Sequence, residues 1–234
     1  MNNSIKTTDP LRKNMGYVDK NIRPEDLKHI KFSEMPKVRT SVRMPLNGTT
    51  AYFSSFSCLG DSKEHLAISF CEHDKLKSIP LIRIHSECLT GDLFQSDRCD
   101  CGNQLQESIA SLKKQRGLLL YLRQEGRGIG LYQKMEAYVL QDKGFDTYEA
   151  NQALGADKDG RNYEVAANML KALGIYKIDL LTNNPVKVAQ LKQYGIEVHK
   201  VVPTKTYLNN QNEKYLEAKK RVCGHTLDID GGLS

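Results

Sequence analysis

Long hydrophobic runs are missing from this sequence of 234 residues. The longest aliphatic run covers residues 117–122, far short of the roughly 20 apolar residues that a membrane-spanning helix needs. The first residues, MNNSIKTTDPLRKN, also lack the apolar segment of a secretory signal peptide. These absences argue against a membrane protein and predict a soluble, cytoplasmic chain without a membrane partner.

Positive charge is scarce outside the N-terminus, although the whole chain carries +6. Residues 1–43 hold ten Lys or Arg against five Asp or Glu, which leaves only +1 for everything after them. Four of the seven prolines also lie within residues 1–45. We therefore predict an extended, partly disordered basic arm. A solvated arm is favoured over a segment that binds nucleic acid or a protein partner, so we expect no nucleic-acid partner.

Internal repeats and low-complexity segments are also absent, and strand-like segments alternate with helix-like segments from residue 46 onward. Two strands flank LGDSK, at residues 59–63, as a predicted hairpin. Leu105, Ile109 and Leu112 have helical spacing and precede the buried-strand run LLLYL. Further strands are predicted at IPLIRIHS, YKIDLLT and IEVHKVV, and further helices at LYQKMEAYVLQDKG, YEVAANMLKALG and PVKVAQLKQYG.

This alternation predicts an α/β fold. We expect a layered α/β/α domain around a mixed sheet, with an N-terminal β-hairpin region and the extended basic arm before it. Ligand sites in such folds lie at the loops that leave the strand ends.

Only three of the six cysteines are clustered, one fewer than the four ligands of a structural zinc site. Cys88, Cys99 and Cys101 fall within fourteen residues, and no fourth cysteine completes two CxxC pairs. In a reducing cytosol such a cluster indicates metal binding or catalysis before disulfides. Structural zinc sites use four protein ligands, whereas catalytic sites use three and leave one position open. Spacing alone keeps both possibilities, and the candidates for a fourth ligand are His85, Cys71 and His225.

Two turns favour anion binding. RQEGRGIGL, at residues 123–131, follows a strand and opens a helix, so its backbone N–H groups can approach a ligand beside two arginines. In LLTNNPVK a strand ends at Thr182 and a helix begins near Pro185, with Lys187 in its first turn. Each turn alone also suits an ordinary helix start. Their combination with the cysteines favours an anion site.

Four motifs, in this order and spacing, closely resemble the GTP cyclohydrolase II family, which catalyses the first committed step of riboflavin biosynthesis. They are RIHSECLTGDLFQSDRCDCGNQL, YLRQEGRGIGL, AYVLQDKGFDTYEAN and LLTNNPVKV. The resemblance covers roughly residues 81–226. We expect the family domain at residues 46–226, the arm at residues 1–45 and a tail at residues 227–234. The resemblance also implies a homodimer, and the arm is too short for the fused dihydroxybutanone-phosphate synthase domain.

The resemblance implies that Cys88, Cys99 and Cys101 hold one zinc ion whose fourth position is open to water. The family reaction hydrolyses GTP, releases C8 as formate, releases pyrophosphate and leaves 2,5-diamino-6-(5-phosphoribosylamino)pyrimidin-4(3H)-one. Three thiolates and Zn²⁺ sum to −1, so the bound water needs help from a neighbouring base. Mg²⁺ is expected with the triphosphate. Two alternatives are a paralogue that stops at the formamidopyrimidine nucleotide and a zinc-stabilised nucleotide-binding module.

Substrate contacts are implied position by position. Family positions that bind the nucleotide match Arg83, Ile84, His85, Ser86, Glu87, Gln104, Glu125, Gly126, Arg127, Thr147, Thr182 and Lys187. Of these, Arg127, Thr182 and Lys187 suit the triphosphate. A carboxylate can accept hydrogen bonds from both N1 and the 2-amino group of guanine. We therefore assign base selection to Glu125, with Glu87 as the alternative.

Three residues match the catalytic positions of the family, namely Tyr138, Asp159 and Arg161. The family scheme makes Asp159 a general base and Arg161 a nucleophile at the α-phosphorus. A guanidinium stays protonated below pH ~12, so we predict that Arg161 instead stabilises charge on the phosphate. Tyr138 is expected to assist the second hydrolysis. Its alternative is a packing role, on a helix whose Leu131, Met135 and Val139 face the core.

Overall fold

The computed structural model describes residues 35–46, 48–155, 160–209, 211–212 and 216. Its strands are β1 Lys37–Leu46, β2 Thr49–Ser57, β3 Leu66–Ser69, β4 Leu81–Ser86, β5 Leu118–Leu122, β6 Lys177–Leu181 and β7 Glu197–Val202. Its helices are α1 Leu89–Asp92, α2 Cys101–Gln115, α3 Leu131–Asp142, α4 Thr147–Ala153, α5 Glu164–Ala172 and α6 Pro185–Gln193. In this part of the chain, no helix has the length and apolar character needed to cross a bilayer.

The strands form one mixed sheet in the order β1-β2-β3-β5-β4-β6-β7. The pairs β1–β2, β2–β3 and β3–β5 are antiparallel. The pairs β5–β4, β4–β6 and β6–β7 are parallel. Because β4, β5 and β6 run in the same direction, the loops that leave them meet at one edge of the sheet.

Alternating side chains of the strands build a core on each face of the sheet. Ile82 of β4 packs in one cluster with Leu170 of α5 and Leu191 of α6. Its neighbour Leu81 packs in the other cluster with Leu112 of α2. The predicted layered α/β/α domain around a mixed sheet is therefore confirmed.

The N-terminal part of the sheet consists of two hairpins. The predicted hairpin around residues 59–63 is present, with Tyr52 of β2 opposite Ser69 of β3. A second hairpin joins β1 to β2, with Leu46 opposite Thr49. This hairpin is not among the predicted elements, although Asn47-Gly48 is a strong short-range hairpin signal.

This second hairpin corrects the predicted boundary between arm and domain at residue 46. The sheet begins at Lys37, and Val38 is buried in the core. Pro45 and the few large apolar side chains of this segment hid the strand, because both features are typical of irregular chain. The rest of the predicted arm, residues 1–34, and the predicted tail at residues 227–234 lie outside the described residues.

Candidate active site

A cavity lies where β4, β5 and β6 end. The predicted site residues that line it are Arg83, Ile84, His85, Ser86, Glu87, Cys88, Cys99, Cys101, Gln104, Glu125, Gly126, Arg127, Tyr138, Arg161, Thr182 and Lys187. Thr147 begins α4, and its role stays a prediction. Asp159 lies outside the described residues, so its role stays a prediction as well.

Three sulfur atoms converge on one wall of this cavity. The Sγ atoms of Cys88, Cys99 and Cys101 lie within 4.8 Å of one another. Cys88 precedes α1, Cys99 lies in the following loop, and Cys101 is the first residue of α2. We call these three residues the thiol cluster. Their spacing and number suit the coordination of one metal ion.

Two glycines allow the backbone to wrap closely around the thiol cluster. A Cβ atom on Gly91 of α1 would lie 2.8 Å from Sγ of Cys99 and 3.2 Å from Sγ of Cys88. A Cβ atom on Gly102 of α2 would clash with the carbonyl oxygen of Gly91. Neither position can accept a side chain without moving the sulfur atoms or the helix that carries them.

Within the described ranges, no Cys, His, Asp or Glu joins the thiol cluster as a fourth ligand. The proposed fourth ligand His85 instead places Nε2 3.0 Å from the carboxylate of Asp92. The thiol of Cys71 donates to the carbonyl oxygen of Arg116 at 3.4 Å. His225 lies outside the described residues. The geometry therefore favours three protein ligands over a structural site completed by His85 or Cys71.

A buried lysine touches the thiol cluster. Nζ of Lys134 in α3 lies 3.2 Å from Sγ of Cys88, 2.9 Å from Oγ1 of Thr90 and 2.9 Å from Oε1 of Glu125. Burial lowers the pKa of Lys134, but the negative charges of Cys88 and Glu125 raise it by more. The net shift is therefore upward, and the amine stays protonated. The pKa of Cys88 is lowered by hydrogen bonds from the two other thiols and by the charge of Lys134. Lys134 is not among the predicted site residues.

The two carboxylates considered for base selection have different contacts. Besides the ammonium of Lys134, Glu125 accepts hydrogen bonds from the backbone N–H groups of Gly126 at 2.8 Å and Leu89 at 2.6 Å. Glu87 accepts one from Nε of Arg123, at 2.8 Å, through Oε2. Glu125 is therefore held by the protein through both oxygens, whereas Glu87 uses only one of its two oxygens within the described chain.

Asp92 connects the end of β4 to the thiol cluster. Its carboxylate accepts hydrogen bonds from Nε2 of His85, from the hydroxyl of Tyr121 at 2.8 Å and from the backbone N–H of Cys88 at 3.0 Å. A carboxylate cannot donate, so Nε2 of His85 carries the proton. Burial lowers the pKa of His85, which keeps the ring neutral. Nδ1 is therefore an acceptor at the cavity.

Positive side chains line a second wall. Nζ of Lys187 donates to the carbonyl oxygen of Ile84 at 2.7 Å and lies 5.1 Å from the centre of the Tyr163 ring. The guanidinium carbon of Arg161 lies 5.9 Å from the same ring. With the buried Arg83 of β4, these residues form what we call the cation cluster. Such a group suits a polyanionic ligand.

The start of α6 places Lys187 as the sequence predicts. Pro185 is the first residue of the helix, and the Asn184 side chain accepts hydrogen bonds from the N–H groups of Val186 and Lys187. The Thr182 hydroxyl accepts one from the N–H of Asn184 at 3.0 Å. The turn after β6 is thus a preformed helix start with a cation at the cavity.

Several buried polar atoms on the cavity wall have no hydrogen-bond partner among the described residues. They are Nε of Arg83, Nδ1 of His85, Oγ of Ser86 and Oε1 of Gln124. The orientation of Gln124 is fixed, because its Nε2 donates to the carbonyl oxygen of Asn162 at 2.8 Å. Buried polar groups are normally paired, so these atoms indicate a polar ligand. Gln124 is not among the predicted site residues.

The glycine-rich turn after β5 has the predicted position. It forms a short 3₁₀ turn at Glu125–Gly128, in which Gly126 and Arg127 have φ angles of 61° and 63°. The carbonyl oxygen of Arg127 accepts a hydrogen bond from Gly160 at 3.1 Å. This contact ties the turn to the loop that carries Arg161.

Tyr138 lines the cavity, which argues against a packing role in the core. The expectation that Met135 and Val139 face the core is wrong, since they are 39% and 55% exposed. α3 instead turns Lys134 and Tyr138 toward the cavity. The guanidinium carbon of Arg98 lies 5.0 Å from the centre of the Tyr138 ring. Burial raises the pKa of Tyr138, so the phenol keeps its proton at neutral pH.

A thiol cluster and a cation cluster on one cavity of an α/β fold are typical of a metal-dependent enzyme with an anionic substrate. The chain belongs to the GTP cyclohydrolase II family, whose model matches residues 37–203. It is therefore a hydrolase of that family. The match begins where β1 begins.

Two GTP cyclohydrolase-2 proteins agree with this assignment. The GTP cyclohydrolase-2 of Psychromonas ingrahamii is 50% identical over 196 residues, which cover 82% of this chain and 98% of that protein. The GTP cyclohydrolase-2 of Vibrio parahaemolyticus is 50% identical over 198 residues, covering 83% and 100%. A solved two-domain 3,4-dihydroxy-2-butanone 4-phosphate synthase from A. baumannii is 17% identical. That alignment covers 76% of this chain and 44% of the other, with a TM-score of 0.43.

Proposed function

We propose that the protein hydrolyses GTP in riboflavin biosynthesis, releasing C8 of guanine as formate and also releasing pyrophosphate. The product is 2,5-diamino-6-(5-phosphoribosylamino)pyrimidin-4(3H)-one. One observation carries the proposal: the thiol cluster and the cation cluster line the same cavity in a chain of this family. For a reaction at the base of a nucleoside triphosphate, the thiol cluster would hold the metal ion and the cation cluster would bind the phosphates.

Zinc is the metal that we propose for the thiol cluster. Thiolates select soft or borderline ions such as zinc, and three sulfur atoms within 4.8 Å of one another fit a tetrahedral ion with one open position. When bound, zinc with an open position supplies an activated water for the attack on C8 and polarises a carbonyl group. Cys88, Cys99 and Cys101 would hold it.

Proton transfer falls to residues around the cluster. The phenol of Tyr138 keeps its proton at neutral pH and lines the cavity, so it can donate to the amine that leaves in the second hydrolysis. Asp159 is proposed as the general base from the family resemblance alone. Together they would complete formate release after ring opening.

The cation cluster is proposed to bind the triphosphate together with Mg²⁺. Lys187 and Arg161 both lie close to the ring of Tyr163, at 5.1 Å and 5.9 Å from its centre, so both can reach neighbouring phosphate groups. Arg161 then stabilises charge on the α-phosphate while pyrophosphate leaves. It does not act as a nucleophile, because a guanidinium has no free lone pair.

Base selection is now better assigned to Glu87 than to Glu125. Glu125 already accepts three hydrogen bonds from the protein, whereas Glu87 accepts one from Arg123. Comparing GTP with inosine triphosphate, which lacks the 2-amino group, tests this. The preference for GTP should fall in Glu87→Gln, and an unchanged preference would return the role to Glu125.

The decisive experiment incubates the zinc-loaded protein with GTP and Mg²⁺ and follows formate, pyrophosphate and nucleotide masses. We expect one formate and one pyrophosphate for each GTP consumed. Formamidopyrimidine nucleotide without formate would instead identify a paralogue that stops at the first hydrolysis. Nucleotide binding without turnover would identify a binding module. We further propose a cytoplasmic homodimer, and scattering at micromolar concentration tests the dimer.

A further inference from the structure

We propose that Lys134 is a positioning residue of the metal centre, with Glu125 as its anchor. The ammonium fixes the Cys88 thiolate through an N–H···S hydrogen bond and draws charge from that sulfur. The inference rests on the proposed zinc-dependent function. It gives α3 a part in the metal centre that the three cysteines do not reveal.

The contacts of Lys134 use its hydrogen-bonding capacity fully. An ammonium has three N–H donors and no acceptor. Its three partners are Sγ of Cys88 at 3.2 Å, Oγ1 of Thr90 at 2.9 Å and Oε1 of Glu125 at 2.9 Å. Because each N–H donor has its own acceptor, Nζ is held at one point beside the Cys88 sulfur.

Burial makes this arrangement informative. The side chain of Lys134 is only 10% exposed, and that of Glu125 only 9%. Lysine is almost never buried unless it is paired. The pair with Glu125 balances the charge, but the pair alone would not require the ammonium to contact a thiol.

The anchor is itself rigid. Glu125 accepts hydrogen bonds from the backbone N–H groups of Leu89 at 2.6 Å and Gly126 at 2.8 Å. Leu89 is the first residue of α1 and follows Cys88 directly. Glu125 therefore holds both the ammonium and the backbone next to the sulfur, so that a shift of either one would move the other.

A hydrogen bond to a thiolate lowers the electron density that the sulfur offers to a metal ion. The metal then keeps more of its positive charge for the ligand in the open position. Residues that orient or polarise metal ligands in this way typically change metal affinity or activity by about 10- to 100-fold when they are replaced. A purely structural ion pair would change stability without altering the bonds between sulfur and metal.

The test compares Lys134→Met with Lys143→Met, which makes the same substitution at an exposed lysine just after α3. Zinc affinity is measured by competition with a chelator. We expect about 10- to 100-fold weaker zinc binding in Lys134→Met, because the Cys88 sulfur is no longer held in place and this loss outweighs its gain in electron density. Lys143→Met should bind zinc like wild type. Wild-type zinc affinity in Lys134→Met would overturn the inference.

Cobalt supplies a readout that a structural role would not move. In protein loaded with Co²⁺, the sulfur-to-metal charge-transfer band should shift to longer wavelength in Lys134→Met, because the sulfur is more electron-rich. Lys134→Arg, which keeps the positive charge, should return the band toward its wild-type position. An identical band in all three proteins would overturn the inference.

Two further results keep the outcomes separate. If Lys134→Met does not fold, Glu125→Gln takes its place, because it weakens the anchor; wild-type zinc affinity and an unshifted band there would count against the inference. Wild-type protein that binds no zinc or releases no formate defeats the proposed function itself. If the wild-type protein binds zinc and releases formate, but Lys134→Met has the same zinc affinity and the same absorption band as wild type, only the role of Lys134 is refuted.

Discussion

The thiol cluster and the cation cluster share one cavity but are assembled differently. The three thiols come from fourteen consecutive residues, with Cys88 just before α1, Cys99 in the loop after it and Cys101 at the start of α2. The cation cluster joins residues that are far apart in the chain, as the contact between Lys187 and Ile84, 103 positions away, illustrates. A short segment can therefore supply the proposed metal ligands, whereas only the complete sheet can bring together the charges that we propose bind the triphosphate.

This difference predicts different kinetic effects on the two walls. Changes in the thiol cluster should remove turnover, because the proposed zinc would supply the water that attacks C8. Changes in the cation cluster should mainly weaken substrate binding, which appears in KM.

The largest effect is expected from Cys99→Ser. A serine hydroxyl does not ionise to replace the thiolate, so the protein should lose zinc and formate release should fall to background. Metal analysis and formate detection on the same sample measure both. Cys58→Ser, at a half-buried cysteine outside the cavity lining, is the matched control. Full ring opening by a zinc-free Cys99→Ser protein would contradict the role of the cluster.

Tyr138→Phe should have the next largest effect. It keeps the ring against Arg98 and removes only the hydroxyl, so ring opening continues while formate release slows by something like 100-fold, the usual scale for one acid–base group. Mass spectrometry of the quenched reaction should show formamidopyrimidine nucleotide accumulating. Tyr176→Phe, at an exposed tyrosine, serves as the control. Wild-type product ratios in Tyr138→Phe would leave the second hydrolysis to other groups.

Lys187→Met tests the cation cluster. Losing a charge-assisted hydrogen bond, worth about 1.5–3 kcal/mol, should raise KM for GTP by about 10- to 100-fold with a smaller change in kcat. Steady-state kinetics measure both constants. Lys192→Met, at an exposed lysine of the same helix, should behave like wild type. A loss confined to kcat would place Lys187 with the chemistry and erase the difference between the walls.

Removing residues 1–34 should have the smallest effect. These residues precede β1, which begins at Lys37, and they lie outside every matched motif. Their removal should leave kcat/KM within about twofold, because no described site residue precedes Arg83. A large loss in the truncated, folded protein would show that the arm takes part in catalysis. A cut at residue 46 would remove β1 and should cost stability instead.

Local motifs explain which parts of the site could be predicted. The thiols, the segment Arg83–Glu87 and the turn Glu125–Arg127 are each continuous in sequence, and the structure brings all of them to the cavity. Helical spacing alone predicted the wrong core-facing side of α3. Met135 and Val139 are apolar and suitably spaced for the core, but both are exposed. The side of α3 that faces the cavity carries Lys134 and Tyr138 instead.

Contacts between distant residues could not be predicted. Lys134 meets Cys88 across 46 positions, and a lysine is normally assumed to face solvent. The saturated carboxylate of Glu125 was equally hidden, because its partners come from α1 and α3. β1, by contrast, could have been predicted from the sequence, because Asn47-Gly48 is a local hairpin signal.

The number and kind of ligands on bound zinc test the central claim most directly, since the claim requires three protein ligands and one open position. X-ray absorption at the zinc edge of the loaded protein measures them. The account predicts three sulfur atoms at about 2.3 Å and one lighter atom, without the outer-shell scattering of an imidazole. Four sulfur atoms, or three and a histidine, would show a closed structural site and contradict a catalytic one.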